Sequence, residues 1–132
     1  MFKRLDHFAI AVSNTEDALA IWRDKFNFPV LFSEKVNNDT VLLTHLDLGN
    51  THLQLVQPLT ADHPLHDWIK RNGGPGLHHF CLEVDNVSNS ASDIKQHSLN
   101  PAPKIHQGTL GKRALFIDKN DTSGVQVELT GS

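Results

Sequence analysis

The sequence predicts an α+β chain built from two repeated βαβββ modules whose mixed sheet curves around a concave face. Three observations predict it. The phrase Asp6-His7-Phe8-Ala9-Ile10-Ala11-Val12-Ser13-Asn14 returns, 72 residues later, as His78-His79-Phe80-Cys81-Leu82-Glu83-Val84-Asp85-Asn86. Each copy is followed by a strand-like run that encloses one polar residue among apolar ones: His52-Leu53-Gln54-Leu55 and Gln126-Val127-Glu128-Leu129, with 47 residues from His7 to Gln54 and 49 from His79 to Glu128. Between the two landmarks, hydrophobic spacing passes from a period of two to a helical period and back, in the same order in both halves.

Residues 5–12 alternate, with His7, Ala9 and Ala11 on one face and Phe8, Ile10 and Val12 on the other, the period of a half-buried strand. Asn14 with Asp17 three residues on is an N-cap followed by a first-turn acid, and Ala18, Ile21, Trp22 and Phe26 recur at helical spacing, so a helix is expected over 15–26. Pro29 ends it. Strands follow at 29–35, 41–48 and 51–57, with Gly49-Asn50 as the turn between the last two. A connector over 58–76 holds a short helix with Pro64 at its first position, Asp62 or Asp67 as a capping acid, and Gly73-Gly74-Pro75-Gly76 as its stop. The second half repeats the order, with a strand at 77–84, a helix at 86–98 and strands at 103–106, 113–118 and 124–130. The expected organisation is one domain over 1–132, with half-modules 1–57 and 77–132 joined by the linker 58–76.

At 132 residues the chain is long enough to bury a core. A net charge of −3 with interspersed signs offers no electrostatic footprint for nucleic acid or an anionic membrane. No apolar stretch approaches the ~18 residues needed to span a bilayer, and residues 1–6 lack the apolar core of a signal peptide, so a cytoplasmic location is expected. Cys81 is the one cysteine, which rules out an internal disulfide. Of nine histidines, His63, His66, His97 and His106 stand among polar and turn residues and read as solvated surface.

Parity singles out four residues for chemistry. In a strand alternate side chains face opposite ways. His7 lies between Asp6 and Phe8, Gln54 between Leu53 and Leu55, His79 out of phase with Phe80 and Leu82, and Glu128 between Val127 and Leu129. Each can project into the concavity while its apolar neighbours pack beneath. Taken singly, each is a polar residue on a solvated sheet face; four at matching places in a repeat describe a metal site. Two imidazoles, a carboxylate and an amide oxygen suit one divalent ion, such as Co, Mn, Ni, Zn or Mg, with positions left for water or substrate. His78 belongs to the opposite face and is expected to pack. Cys81 shares the parity of His79 but reads as a small packing residue. Lys112 and Arg113, after the turn at 108–111, read as part of a solvated loop, with contact to an anionic ligand as the alternative.

The set His7, Gln54, His79 and Glu128 on two βαβββ modules resembles the vicinal oxygen chelate superfamily over nearly the whole chain. Within it the sequence is most similar to the methylmalonyl-CoA epimerases, through residues 5–12, Leu48-Gly49-Asn50-Thr51, Gly76-Leu77-His78-His79 and Gly124-Val125-Gln126-Val127-Glu128-Leu129. Two departures stand out. Residues 40–46 hold no acid where some epimerases carry a second catalytic Glu, leaving His45 or Asp47 as stand-ins. Phe116-Ile117-Asp118-Lys119-Asn120 replaces the usual Phe-x-His-Pro-Lys.

The resemblance implies a metal-dependent isomerase that takes an acyl-CoA or similar anionic thioester, with proton abstraction at C2 through a metal-stabilised enediolate and Glu128 as a catalytic base. It also implies a homodimer. Two alternatives share the fold: a lactoylglutathione lyase of the glyoxalase I type, and a non-catalytic small-molecule binding protein of the drug-resistance type.

Overall fold

A computed structural model describes residues 1–132. The element order is β1 (Arg4–Ala11), α1 (Thr15–Trp22), β2 (Val30–Val36), β3 (Val41–Asp47), β4 (His52–Pro58), α2 (Leu65–Asn72), β5 (Gly76–Glu83), α3 (Val87–Asp93), β6 (His106–Gln107), β7 (Arg113–Phe116) and β8 (Val127–Gly131). The chain is thus α+β, with the βαβββ order present twice and α2 in the connector. The sheet is mixed: β5 and β8 run parallel, whereas β6–β7 and β7–β8 are antiparallel. The residues cluster as two compact units, Met1–His7 with His79–Ser132, and Phe8–His78. β1 gives its first residues to one unit and its last to the other.

The Phe8–His78 unit carries the antiparallel ladders β2–β3 and β3–β4. Its core joins Ile10 of β1 and Val12 just beyond it to Ala18 and Leu19 of α1 and to Leu46, Leu53 and Leu55 of the ladder. Asn14 caps α1 by accepting from the Asp17 amide at 2.9 Å. The expected helix to residue 26 stops at Trp22, because amides beyond it bond in a wider spiral, Phe26 to Ile21 among them, and Asn27 turns into the left-handed region. Neither Asp62 nor Asp67 caps α2. Pro64 takes the capping position, one place before the predicted first turn, and the Leu65 amide donates to His63 Nδ1 at 3.0 Å. His63 is therefore a structural acceptor rather than a solvated surface group.

The other unit packs Val84, Val87, Ile94, Leu115, Ile117, Val127 and Leu129 into its core. Asn86 caps α3 from the Asn89 amide at 2.9 Å, and its φ/ψ of −144/122° repeats the −146/119° of Asn14. The helix expected over 86–98 tightens to a 3₁₀ turn at Ile94–His97 and ends at Ser98, which is left-handed. The strand expected at 103–106 is only His106–Gln107, since Pro101 and Pro103 remove ladder donors just before it.

Gly131 shows why β8 ends as it does. A Cβ there would run into the Val84 carbonyl oxygen, and Val84 N–H donates to Thr130 O at 2.8 Å in the same stretch. Replacing Gly131 by Ala is therefore expected to cost about 1–3 kcal/mol of stability, read as a lower denaturation midpoint; an unchanged midpoint would show that the backbone yields.

Candidate metal centre

Three of the four polar residues of the repeat, His7, His79 and Glu128, lie together in one unit. His7 lies near the start of β1, His79 on β5 and Glu128 on β8, and the strand order runs β1-β5-β8-β7-β6. Ladder register fixes the neighbours of Glu128, which pairs with Cys81 on β5 and with Phe116 on β7. His7 and Glu128 are 2% and 7% exposed, and the His79 side chain 5%. Phe116 meets the His79 ring edge-on at 5.2 Å.

The donors converge on Glu128. Its Oε1 lies 3.5 Å from His7 Nε2 and 3.4 Å from His79 Nε2. Two donors bound to one ion at about 2.0–2.1 Å would sit about 2.9–3.4 Å apart, close to both separations. Two imidazole nitrogens and a carboxylate oxygen, all within 4.8 Å of one another, have the chemistry to hold a first-row divalent ion. Asp6, Cys81 and His7 form a second grouping of the same span. It is the poorer one: burial, then the charges of Glu128 and Asp6, push the Cys81 thiol far up, and a protonated thiol is a weak ligand. Asp6 Oδ2 is instead 2.8 Å from His7 Nδ1, which orients the ring so that Nε2 faces Glu128.

Electrostatics holds the cluster charged. Burial alone would raise the Glu128 pKa, but the charge of His79 and the hydrogen bonds from His106, His7 and His79 outweigh it and keep the carboxyl well below its usual range. For His7, burial pulls the imidazole down, while hydrogen bonds to Asp6 and Glu128 pull it up further, so the net shift is upward. Asp6 is pushed up by burial and down by His7, Lys112 and Arg4, and ends below its ordinary value.

The remaining predicted residues fall as follows. Gln54 is 3% exposed on β4 of the Phe8–His78 unit, where its amide nitrogen donates to His45 Nε2 at 3.0 Å. His78 packs against Trp68, rings 4.9 Å apart. Lys112 approaches Asp6 at 3.9 Å, and Arg113 donates to Ser88 Oγ at 2.9 Å. Two residues escaped the sequence reading. His106, expected to be solvated, has a side chain 22% exposed and lies 2.9 Å from Glu128 Oε2. Asp6 precedes His7, and strand parity assigns neighbours to opposite faces; the adjacent Asp-His pair was the only signal.

The shifts set a pH window for the metal-free protein. His7 has a folded pKa above 6.5, so its stabilising contribution is complete below about pH 6.5 and is lost as pH rises through the folded value. Glu128, depressed below 4.5, contributes fully above about pH 4.5 and loses its contribution as pH falls through its folded value. With chelator present, the denaturant midpoint of the wild type relative to His7→Gln is expected to be larger at about pH 5.5 than at about pH 8. An equal difference at both would remove His7 from the account.

Comparison with known proteins places the chain in a family. The family model described as Glyoxalase/Bleomycin resistance protein/Dioxygenase superfamily matches residues 4–129. The mitochondrial methylmalonyl-CoA epimerase of Mus musculus is 36% identical over 129 residues, 96% of this chain and 71% of the relative. The ethylmalonyl-CoA/methylmalonyl-CoA epimerase of Cereibacter sphaeroides is 32% identical over 133 residues, 98% of each chain. Among solved structures, a variant of the Streptomyces coelicolor methylmalonyl-CoA epimerase in complex with 2-nitronate-propionyl-CoA superposes with a TM-score of 0.86 at 29% identity, over 100% of this chain and 96% of the other. With a repeated βαβββ order and a family match that omits only a few terminal residues, the chain belongs to the Glyoxalase/Bleomycin resistance protein/Dioxygenase superfamily and has the vicinal oxygen chelate fold.

Proposed function

We propose that this chain is a divalent-metal-dependent epimerase of a 2-carboxyacyl-CoA thioester of the methylmalonyl-CoA class, with His7, Gln54, His79 and Glu128 as the metal ligands. The observation that carries the reading is the buried convergence of His7 Nε2, His79 Nε2 and Glu128 Oε1. It occurs in a chain that aligns over 98% of its length with an ethylmalonyl-CoA/methylmalonyl-CoA epimerase. The names of the relatives favour this activity over a lactoylglutathione lyase or a binding protein.

A divalent ion held by these side chains supplies Lewis acidity toward the oxygens of the substrate, on which negative charge develops as C2 loses its proton. His7, His79 and Gln54 bring no negative charge to such a set, so with Glu128 the formal balance stays positive and favours an anionic thioester. Asp6 holds the His7 ring in place through Nδ1. Glu128 is ionised across the neutral range and is the proposed proton acceptor at C2. For that role its bond to the ion loosens as substrate binds and frees an oxygen for the proton, and inversion is completed by a second proton delivered to the opposite face of C2. The Streptomyces coelicolor structure is a complex with 2-nitronate-propionyl-CoA; a nitronate holds its carbon planar with the charged oxygens on the attached nitrogen, which resembles a deprotonated 2-carboxyacyl thioester with a planar C2 beside its carboxylate.

A homodimer is part of the proposal. The Phe8–His78 unit has an apolar cleft of about 690 Å³ lined by Phe8, Ile21, Trp22, Phe28 and Leu77 among others. Leu77 is 71% and Ile21 42% exposed, apolar area that a second copy would remove from water. Leu77→Glu is expected to yield folded monomer in analytical ultracentrifugation; a dimer of unchanged affinity would place the interface elsewhere.

The reaction is tested by NMR of methylmalonyl-CoA in D₂O with stripped protein reloaded with cobalt or manganese. The C2 proton signal is expected to wash out only with metal, and Glu128→Ala is expected to lose at least about 100-fold in rate together with metal affinity. Well-folded, metal-loaded wild type that leaves the C2 proton in place would sink the epimerase reading for this substrate.

A further inference from the structure

We infer that His106 is a positioning residue that commits one carboxylate oxygen of Glu128 and so presents the other as a single-point metal ligand; this rests on the metal reading above. His106 Nε2 lies 2.9 Å from Glu128 Oε2, whereas His7 and His79 face Oε1. The two oxygens of one carboxylate therefore have different partners. An ionised carboxylate only accepts hydrogen bonds, so the proton of the His106 ring must be on Nε2, and the N–H is aimed at Oε2.

Backbone and packing both hold the ring there. His106 pairs with Ala114 on β7, and Phe116, two residues further along that strand, pairs with Glu128 on β8. The ladder thus sets the histidine and the carboxylate on either side of one strand. Phe116 serves both neighbours: its ring stacks on His106 at 5.3 Å with planes 21° apart and meets His79 edge-on. A histidine held on an aromatic face with its donor fixed has lost little further freedom in making the bond. This is what a partner to a ligand requires, since the orientation of the ligand is only as firm as the group that holds it.

The chemical consequence concerns coordination. A carboxylate with both oxygens available can close on an ion through either one or both. With Oε2 tied to His106, only Oε1 is turned to the imidazoles, and the second position that a chelating carboxylate would take stays available to a substrate oxygen. His106 also lies on a two-residue strand at the end of its sheet. Its replacement should leave the core of the unit intact, so the variants are expected to fold.

The test compares His106→Phe, which keeps a ring for Phe116 and removes the donor, with His106→Gln, which restores an N–H. Cobalt affinity is measured by competition against a chelator, and the visible absorption of the bound cobalt reports its coordination. His106→Phe is expected to bind cobalt about 10–100-fold more weakly with an altered spectrum, and His106→Gln to recover most of both. Unaltered protein loaded with zinc provides a check that needs no variant: ¹⁵N shifts of the His106 ring should identify the Nε2–H tautomer. Unchanged affinity and spectrum in His106→Phe, or a ring protonated on Nδ1 alone, would overturn the assignment. Wild type without cobalt affinity would overturn it together with the metal reading. Wild type that binds cobalt but leaves C2 protonated would remove only the epimerase activity, and the variants would still decide the role of His106.

Discussion

Glu128 is a carboxylate buried among three imidazoles, and the arrangement of its unit follows from keeping that one charge. An ionised carboxyl in a dry interior is costly unless every lone pair meets a donor or a cation. Here the partners arrive from three other strands: His7 from β1, His79 from β5 and His106 from β6. Asp6 extends the chain of contacts beyond His7, and Lys112 and Arg4 approach Asp6 in turn at 3.9 and 3.4 Å. Charges thus alternate from the buried carboxylate outward to side chains that reach solvent. Removing one imidazole would leave Glu128 undercompensated, whereas a divalent ion would take over the compensation and let His7 release its proton.

The repeat explains how so short a chain produces matching polar positions. In one module the strands follow the order β1-β4-β3-β2, and in the other β5-β8-β7-β6. The caps that launch the first helix of each module are Asn14 and Asn86, with nearly equal dihedrals and equal 2.9 Å bonds. With the same strand-to-helix corner built twice, the first strand of each module delivers a histidine and the last strand delivers the amide or the carboxylate. Sequence displacement becomes structural correspondence because the local hydrogen bonds at the corner are repeated along with the residues.

What could be read from the sequence was what local periodicity controls. Alternation placed His7, His79 and Glu128 correctly relative to their apolar neighbours, since a one-residue slip in any of the three strands would have buried an aliphatic group in place of a donor. His106 was misread for the opposite reason. Its strand is two residues long and follows Pro101 and Pro103, so no alternation surrounds it, and its burial comes from pairing with β7 and from Phe116, ten residues away in sequence. The early end of α1 is similar. The apolar spacing of Ile21, Trp22 and Phe26 persists, yet the backbone widens and Phe26 stacks on Trp22 at 5.0 Å and on Phe28 at 5.7 Å, a ring sequence that a straight helix through residue 26 would not supply.

The missing acid on β3 takes on a different meaning once its histidine is located. His45 is 1% exposed and stands between two cross-strand partners, Phe32 on β2 and Gln54 on β4. Phe32 covers its ring face at 4.7 Å. The Gln54 amide nitrogen donates to Nε2, so the ring proton lies on Nδ1, where it can be donated across 3.1 Å to Nδ1 of His52. A ring whose two nitrogens are both engaged would have to break one of these bonds before exchanging a proton with a substrate. The arrangement suits orientation rather than proton transfer. The same bond holds the amide of Gln54 against His45 within the Phe8–His78 unit. Within the other unit, Asp6 on His7 and His106 on Glu128 share that orienting role. Each fixes a donor atom by binding the atom beside it, which is how a strand residue with free rotamers becomes a ligand with one direction.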